Sequence, residues 1–213
     1  MSLDVRAVTV EYGRRRVLDA VDLTVADGEV VCVVGPSGCG KSTLLRVISG
    51  LLVPAHGTVT IDGRDVSAQA PHRRGVGLVF QDDVLFPHLD VHDNIAYGLR
   101  ATRVSRRAIG PRVAELLELV GLPGLERRDV TTLSGGEAQR IAVARALAPR
   151  PRVILLDEPF GALDHDLHDR LVGDVRAVLR ALGTTAVHVT HDRAEAAIMA
   201  DRLVALGPGV ERN

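Results

Sequence analysis

Four short apolar runs punctuate the chain: Val30 to Val34, Val76 to Phe80, Val153 to Leu156 and Thr185 to Val189. They are continuous instead of alternating, which predicts strands buried on both faces, as in a parallel sheet. Between them, apolar residues recur at helical spacing and stop at glycine. Leu44, Leu45 and Ile48 lead to Gly50; Val113, Leu116, Leu117 and Val120 lead to Gly121; Leu167, Leu171, Val175, Val178 and Leu182 lead to Gly183. Strands alternating with helices predict an α/β fold with a mostly parallel sheet. The N-terminal 28 residues and Gly57 to Asp62 alternate more loosely with period two, which predicts a small antiparallel β subdomain beside that sheet. Residues from about 88 to 150 carry helix signals and no strong strand. They predict an α-helical subdomain inserted into a single domain spanning residues 1–213.

Composition narrows the class. With 213 residues, 46% of them hydrophobic, the chain can bury a substantial core, and a disordered reading is excluded. The formal net charge of -1 supplies no basic field to draw nucleic acid, so no nucleic-acid partner is expected. No apolar run approaches the roughly 18 to 20 residues that span a bilayer, and Asp4, Arg6 and Glu11 break any signal-peptide pattern, so a cytoplasmic location is expected. Cys32 and Cys39 fit neither a disulfide framework nor a zinc site and read as reduced thiols. The run Arg103 to Arg107 reads as solvated surface. Of the 26 Lys and Arg residues, Lys41 alone is lysine, which marks a place where a compact ammonium is required and a planar guanidinium would not fit.

Its neighbours supply the reason. Gly35, Pro36, Ser37, Gly38, Cys39, Gly40, Lys41 and Ser42 fit the phosphate-loop pattern, with a buried strand before and an amphipathic helix after. Glycines let backbone N–H groups converge on phosphate oxygens, and the helix beginning near Lys41 turns its positive end toward them. Lys41 is then placed to neutralise the β- and γ-phosphates and Ser42 to ligate Mg²⁺, with Thr43 an adjacent polar candidate. An acidic partner follows the apolar run Val153 to Leu156: Asp157 for the metal and Glu158 as general base, unless one of them only caps the turn at Pro159. Ser134, Gly135, Gly136 and Glu137 read first as a helix capping box, yet a capped helix tip carrying two glycines is also an open anion site.

The phosphate loop, the run Leu133 to Glu137 some twenty residues before the acidic strand, and Gly161 to Asp164 after it together resemble the ATPases of the ATP-binding cassette (ABC) family. The likeness extends along essentially the whole chain, and its second motif separates that family from other phosphate-loop enzymes. It implies a phosphate-loop NTPase core that uses ATP and Mg²⁺. It also implies a head-to-tail dimer, with a second copy or a similar ATPase subunit, in which Ser134 and Gly136 complete the partner's γ-phosphate site. Tyr12 matches the aromatic that stacks on adenine, Gln81 the glutamine that senses Mg²⁺ and the γ-phosphate, His191 the histidine that positions water, and Asp164 the residue at the dimer seam. Glu137 stands where glutamine is frequent, and a carboxylate there suits the helix dipole. The sequence ends at Asn213, where many members of that family continue with a further helix or a regulatory domain.

Phe80 to Leu89, with Asn94 to Gly98, resembles the region of bacterial importer ATPases that grips a coupling helix of a membrane subunit, with Phe86, Pro87, His88 and Leu89 as the socket; the plainer reading is a buried turn. The wording is similar to subunits serving ferric iron, thiamine, sulfate, molybdate or polyamines. This implies transmembrane permease partners, an extracytoplasmic substrate-binding protein, and a peripheral place on the inner face of the membrane. Export, a non-transport ABC ATPase acting on DNA or ribosomes, and a small-molecule kinase remain alternatives. A kinase would leave Leu133 to Glu137 without a task.

Overall fold

The computed structural model describes residues 2–80, 85–160 and 165–207, the last span with side chains from His168 onward. Two sheets organise them. Strands β1 (Leu3–Tyr12), β2 (Arg15–Val25), β4 (His56–Ile61) and β5 (Arg64–Asp65) form an antiparallel sheet in the order β2-β1-β4-β5. Strands β3 (Val30–Val34), β6 (Val76–Val79), β7 (Val153–Asp157), β8 (Thr185–Thr190) and β9 (Arg202–Ala205) form a parallel sheet in the order β6-β7-β8-β3-β9. Helix α1 (Lys41–Ser49) follows β3. Helices α2 (Val91–Ala101), α3 (Arg106–Leu119) and α4 (Gly135–Leu147) lie between β6 and β7 in the chain, and α5 (His165–Ala181) and α6 (Arg193–Met199) flank β8.

The continuous apolar runs are explained by two cores. Alternate residues of each central strand point to opposite faces. Val30, Cys32, Ile154, Leu156 and Ala186 pack into a core with the later helices, while Val31, Val33, Val153, Leu155, Val187 and Val189 pack against α1 and the antiparallel sheet. Helix α1 is thereby held between two sheets through Leu44, Leu45, Val47 and Ile48, all at most 1% exposed.

Differences from the sequence reading are local. The run at Val76 stops pairing at Val79, opposite Leu156, and Phe80 leaves the sheet 40% exposed because β6 is an edge strand with one neighbour. The run at Val153 extends to Asp157 and that at Thr185 to Thr190, where Thr190 pairs with Val34. Alternation in β1 and β2 is loose because their register shifts between Val5 and Val8 and again beyond it, with Ala7 and Ala20 at positive φ. Helix α3 begins ahead of its apolar stripe and contains Pro111, and β9 carried no sequence signal. Among the described residues between 88 and 150, β-pairing is limited to the isolated bridge of Asp90 with Asp129.

One buried cation ties α1 to the loop before β6. Arg74, 4% exposed, donates through Nη1 to Val47 O (2.9 Å) and Ile48 O (3.2 Å), through Nε to Gln69 O (2.9 Å) and through Nη2 to Ser67 O (2.8 Å). It closes the carboxyl end of the helix that starts with Lys41, where the dipole favours a positive charge. Arg74→Met should lower unfolding free energy by roughly 3 kcal/mol, because buried carbonyls lose a charged donor. Arg74→Lys should recover only part, since one ammonium cannot serve four carbonyls; urea unfolding midpoints check both.

Candidate functional site

The carboxyl ends of β3, β7 and β8 lie side by side, because Val34 pairs with Thr190 and Asp157 with Val189. Each strand delivers its candidate residues at its last position or just beyond it, at the edge where parallel sheets expose ligand sites. After β3, the loop from Gly35 to Gly40 turns into α1. A Cβ at Gly35 would lie 2.2 Å from the Leu206 carbonyl oxygen, and Gly40 caps α1 at φ 105° with Leu18 close behind it. Only glycine fits both positions. Helices α2, α4 and α6 are capped by Asp90, Ser134 and Asp192, whereas among the described residues no side chain caps α3 or α1, and α1 alone of these two starts at the phosphate loop. Its first amides are therefore left for an anionic ligand.

Lys41 reaches back over this loop. Its side chain is 4% exposed, and Nζ donates to Gly35 O (2.9 Å) and Pro36 O (3.2 Å) and stands 3.5 Å from Glu158 Oε1. Glu158 adopts φ 43°, a left-handed conformation that is unusual without glycine, fixed by its N–H donating to Val189 O (3.0 Å). Its other oxygen, Oε2, lies 2.9 Å from His191 Nδ1 at the end of β8. Ser42 Oγ donates to Asp157 Oδ1 (2.9 Å). Burial pushes the Asp157 carboxyl above its usual range, opposed by the Ser42 hydrogen bond and reinforced by the charge of Glu158. Lys41, Ser42, Asp157, Glu158 and His191 are thus one cluster drawn from three strand ends.

Two hard oxygen donors, a hydroxyl and a buried carboxylate in contact, suit Mg²⁺, which binds through one or two protein oxygens while keeping waters. A cation there would relieve the burial cost borne by Asp157. Beside the loop, a cavity of about 500 Å³ is lined by Pro36, Ser37, Gly38 and Cys39 on one wall and by Arg15 to Asp19 on the other. Sequence reading missed that second wall, because nothing in an ordinary strand pattern marks residues that only the fold brings to the loop. Tyr12, half exposed, pairs with Arg15 at the adjoining hairpin and does not itself line the cavity. Thr43 is half-buried on α1.

Ser134, Gly135 and Gly136 stand elsewhere. Helix α4 packs on α2, α3, α5 and β6, while α1 packs on β2, β6, β7 and β8. No hydrogen bond or ion pair among the described residues joins Ser134–Glu137 to the phosphate loop. The capping box is present: Ser134 Oγ accepts from Glu137 N–H (3.3 Å) and Glu137 Oε2 accepts from Ser134 N–H (2.8 Å). Ser134 and Gly135 are exposed and Gly136 is buried. Gln81 and Asp164 lie outside the described residues, as do Gly161, Ala162 and Leu163.

The Phe86 turn is anchored at its ends and open at its tip. Asn94, fully buried, bonds Phe86 N–H and the carbonyls of Phe86, Leu89 and Asp90. The Phe86 ring lies 4.7 Å from Tyr97 and 5.0 Å beneath the Arg145 guanidinium, while Pro87 and His88 are exposed.

The family model described as ABC transporter matches residues 18–161. The chain belongs to the ABC transporter family. This ABC chain is 56% identical over 98% of its length to a ferric-ion import ATP-binding protein of Streptomyces avermitilis, covering 61% of that protein. It is 48% identical over 97% of its length to a sulfate/thiosulfate import ATP-binding protein of Chromobacterium violaceum, covering 56% of it. It is 43% identical over 97% of its length to a spermidine/putrescine import ATP-binding protein of Bacteroides thetaiotaomicron, covering 45% of it. The ABC chain therefore spans about half to three-fifths of the length of these curated relatives. No helix among its described residues is long and apolar enough to cross a membrane.

The cap has its own test. Ser134→Ala should cost about 1 kcal/mol in chemical unfolding, and Ser134→Asp should restore it, since aspartate caps as well. The Ser134 N–H holds the Glu137 carboxyl below its ordinary value of 4.5. A depressed folded value contributes stability above the unfolded value and loses it as pH falls through the folded one. The stability gap between wild type and Glu137→Gln should therefore be full at pH 7 and shrink below about pH 4.5, as thermal melts across pH will show.

Proposed function

We propose that this chain is the ATP-hydrolysing motor subunit of a bacterial import system, working as a head-to-tail dimer beneath separate permease subunits. The observation that carries this reading is the cluster of Lys41, Ser42, Asp157, Glu158 and His191 at one end of the parallel sheet, joined to the family membership. The import relatives and the anchored, open-tipped turn at Phe86 favour import, and an extracytoplasmic substrate-binding protein would then deliver the cargo. The chain would sit peripherally on the inner membrane face through its permease. Helices α2 to α4 are read as the subdomain at about 88–150 that meets the permease, with Phe86, Pro87, His88 and Leu89 as the socket.

In the proposed reaction, the loop amides and Lys41 hold the β- and γ-phosphates. Phosphate oxygens compete with Glu158 for the ammonium, which frees the Glu158 carboxylate to accept a proton from the attacking water. Water oxygen bonds to the γ-phosphorus as the bond to the β-bridging oxygen breaks, giving ADP and phosphate. His191, tethered to Glu158, orients that water. Ser42 and Asp157 would hold Mg²⁺, which would offset the negative charge of the phosphates. Gln81 is assigned to sense the metal and Asp164 to the dimer seam. Tyr12 would stack on adenine at the mouth of the cavity beside Arg15. Ser134 Oγ uses an acceptor site for its cap and keeps its own hydrogen, so it can both cap α4 and donate to the partner copy's γ-phosphate.

Glu158→Gln should keep ATP affinity, lower turnover roughly a hundredfold to ten-thousandfold, and accumulate a dimer with MgATP on size-exclusion chromatography. Hydrolysis at the wild-type rate would remove Glu158 from the role of base. Ser134→Asp, stable through its cap, should still lose turnover because a carboxylate repels the phosphate. A second expectation concerns the two thiols: burial pushes Cys32 up to about 12, whereas Cys39 is partly accessible in the loop. A maleimide should modify Cys39 alone and block nucleotide binding, and MgATP should protect it. Unchanged affinity after modification would contradict a loop wrapped around phosphate.

A further inference from the structure

Two buried residues, His188 and Glu195, and the half-buried His168 form a trio that the proposed reaction does not use. His188, on β8 three residues before His191, is fully buried. Its Nε2 is 2.5 Å from Glu195 Oε1, and Glu195 is 3% exposed in the first turn of α6. The other carboxylate oxygen, Oε2, lies 2.9 Å from Nε2 of His168, near the start of α5 and four residues beyond Asp164. His168 Nδ1 is in turn 3.2 Å from Asp169 Oδ1. One carboxylate therefore spans three segments: the start of α5, the end of β8 and the start of α6.

Proton positions follow from donor and acceptor counts. An ionised carboxylate only accepts, so both facing imidazole nitrogens must carry hydrogen. His188 Nδ1 is buried and has no partner among the described residues. A hydrogen there would be an unpaired buried donor, so His188 is the neutral tautomer protonated on Nε2. His168 faces carboxylates with both nitrogens and so is the imidazolium. Its charge balances Glu195 where water cannot, and the Phe160 ring closes over both imidazoles at 6.0 Å.

We propose that Glu195 is a positioning residue for ATP hydrolysis: clamped between His168 and His188, it fixes the turn that carries His191 against the segment that follows Asp164. The inference rests on the reading in which His191 orients the attacking water. His191 itself is 60% exposed and bonded only through Nδ1 to Glu158 among the described residues, so its placement depends on the backbone beneath it. That backbone is fixed on both sides of His191. Asp192 N–H donates to Thr190 Oγ1 (3.0 Å), and Asp192 Oδ1 accepts from Ala194 and Glu195. Glu195 is the link from this turn to the interior and to α5.

The clamp is sensitive to pH through His168. The charged and titratable groups that act on His168 are Asp169 on α5, Glu195 on α6 and Asp192 at the cap of α6, with His188 on the far side of the Glu195 carboxylate. Burial works against the His168 cation, but its hydrogen bonds to Asp169 and Glu195 outweigh that and raise its value. A raised folded value means the link is complete at low pH and is lost as pH rises through it.

Three measurements test the proposal, using MgATP and the full chain. In ¹⁵N-histidine NMR across pH, His168 should titrate above an ordinary imidazole and carry two protonated ring nitrogens below that transition, while His188 carries one; a His168 that titrates at or below the ordinary value would overturn the clamp. In steady-state kinetics, Glu195→Gln should lower kcat roughly tenfold to a hundredfold with KM for MgATP within about twofold, as expected when geometry in the transition state is lost. Loss of stability with kcat per folded molecule unchanged would make the trio merely structural. Should Glu195→Gln not fold, His168→Gln, on the more accessible side, should give the same split. Finally, wild-type kcat should fall as pH rises through the His168 titration, and His168→Arg, with a permanent cation, should abolish that fall; superimposable profiles would overturn the proposal. His191→Ala separates the two readings. If it hydrolyses normally, the role of His191 falls and the positioning role with it; if it is impaired while Glu195→Gln is normal, only the positioning role falls.

Discussion

The arrangement depends on one buried positive charge. Lys41 is almost wholly withdrawn from water, and an ammonium in that setting must be compensated by groups within a few ångströms. Two carbonyls of its own loop supply part, and the Glu158 carboxylate pairs with it, with Asp157 close enough to add its charge. That pairing is loose, at 3.5 Å, so the ammonium remains a strong attractor for a better anion. Holding it ready is the task of the surrounding fold: α1 is gripped between two sheets and closed at its far end by Arg74, and the loop before it tolerates no side chain at Gly35.

Strain at Glu158 belongs to the same constraint. A non-glycine residue in the left-handed region costs on the order of 1–2 kcal/mol. In return its carboxylate leaves the line of β7 and reaches between Lys41 and His191, while Asp157, one residue earlier, points to Ser42. Two adjacent acids are thereby given different environments. Asp157 is buried against a hydroxyl and would be relieved by a metal cation, and Glu158 is shared between a lysine and a histidine. Separation of roles between neighbouring carboxylates comes from backbone conformation, not from residue type.

What the sequence disclosed follows the same physics. Strands β3, β7 and β8 were legible because burial on both faces demands unbroken apolar runs, and the cluster of Lys41, Ser42, Asp157 and Glu158 was legible because the phosphate-loop pattern and the acidic pair stand at fixed places relative to those strands. The loose alternation of β1 and β2 has its cause in bulges that only pairing reveals. The end of β6 and the whole of β9 are set by sheet neighbours, and Leu203 on β9 is 54% exposed, so no burial pattern marks it. His168, His188 and Glu195 are up to 27 positions apart and meet only because α6 packs against both α5 and β8. Among eight histidines in the chain, none of these has a local signature.

Helix α4 links the Ser134 tip to the Phe86 turn. Its first turn carries the Ser134 tip, and Arg145, eleven positions on, lies over Phe86 in the exposed turn. At 1.5 Å per residue that separation is about 16 Å. No proline or glycine interrupts the helix beyond its first two residues, and a capping box prevents the tip from fraying alone. Arg140 ties its middle to Asp174 on α5 and to the Val120 carbonyl after α3. A displacement of the Ser134 tip is therefore shared by Arg145 as one rigid body, and the Phe86 turn, held by Asn94 to α2 and by Arg145 to α4, has to follow it or break a cation–π contact to stay behind.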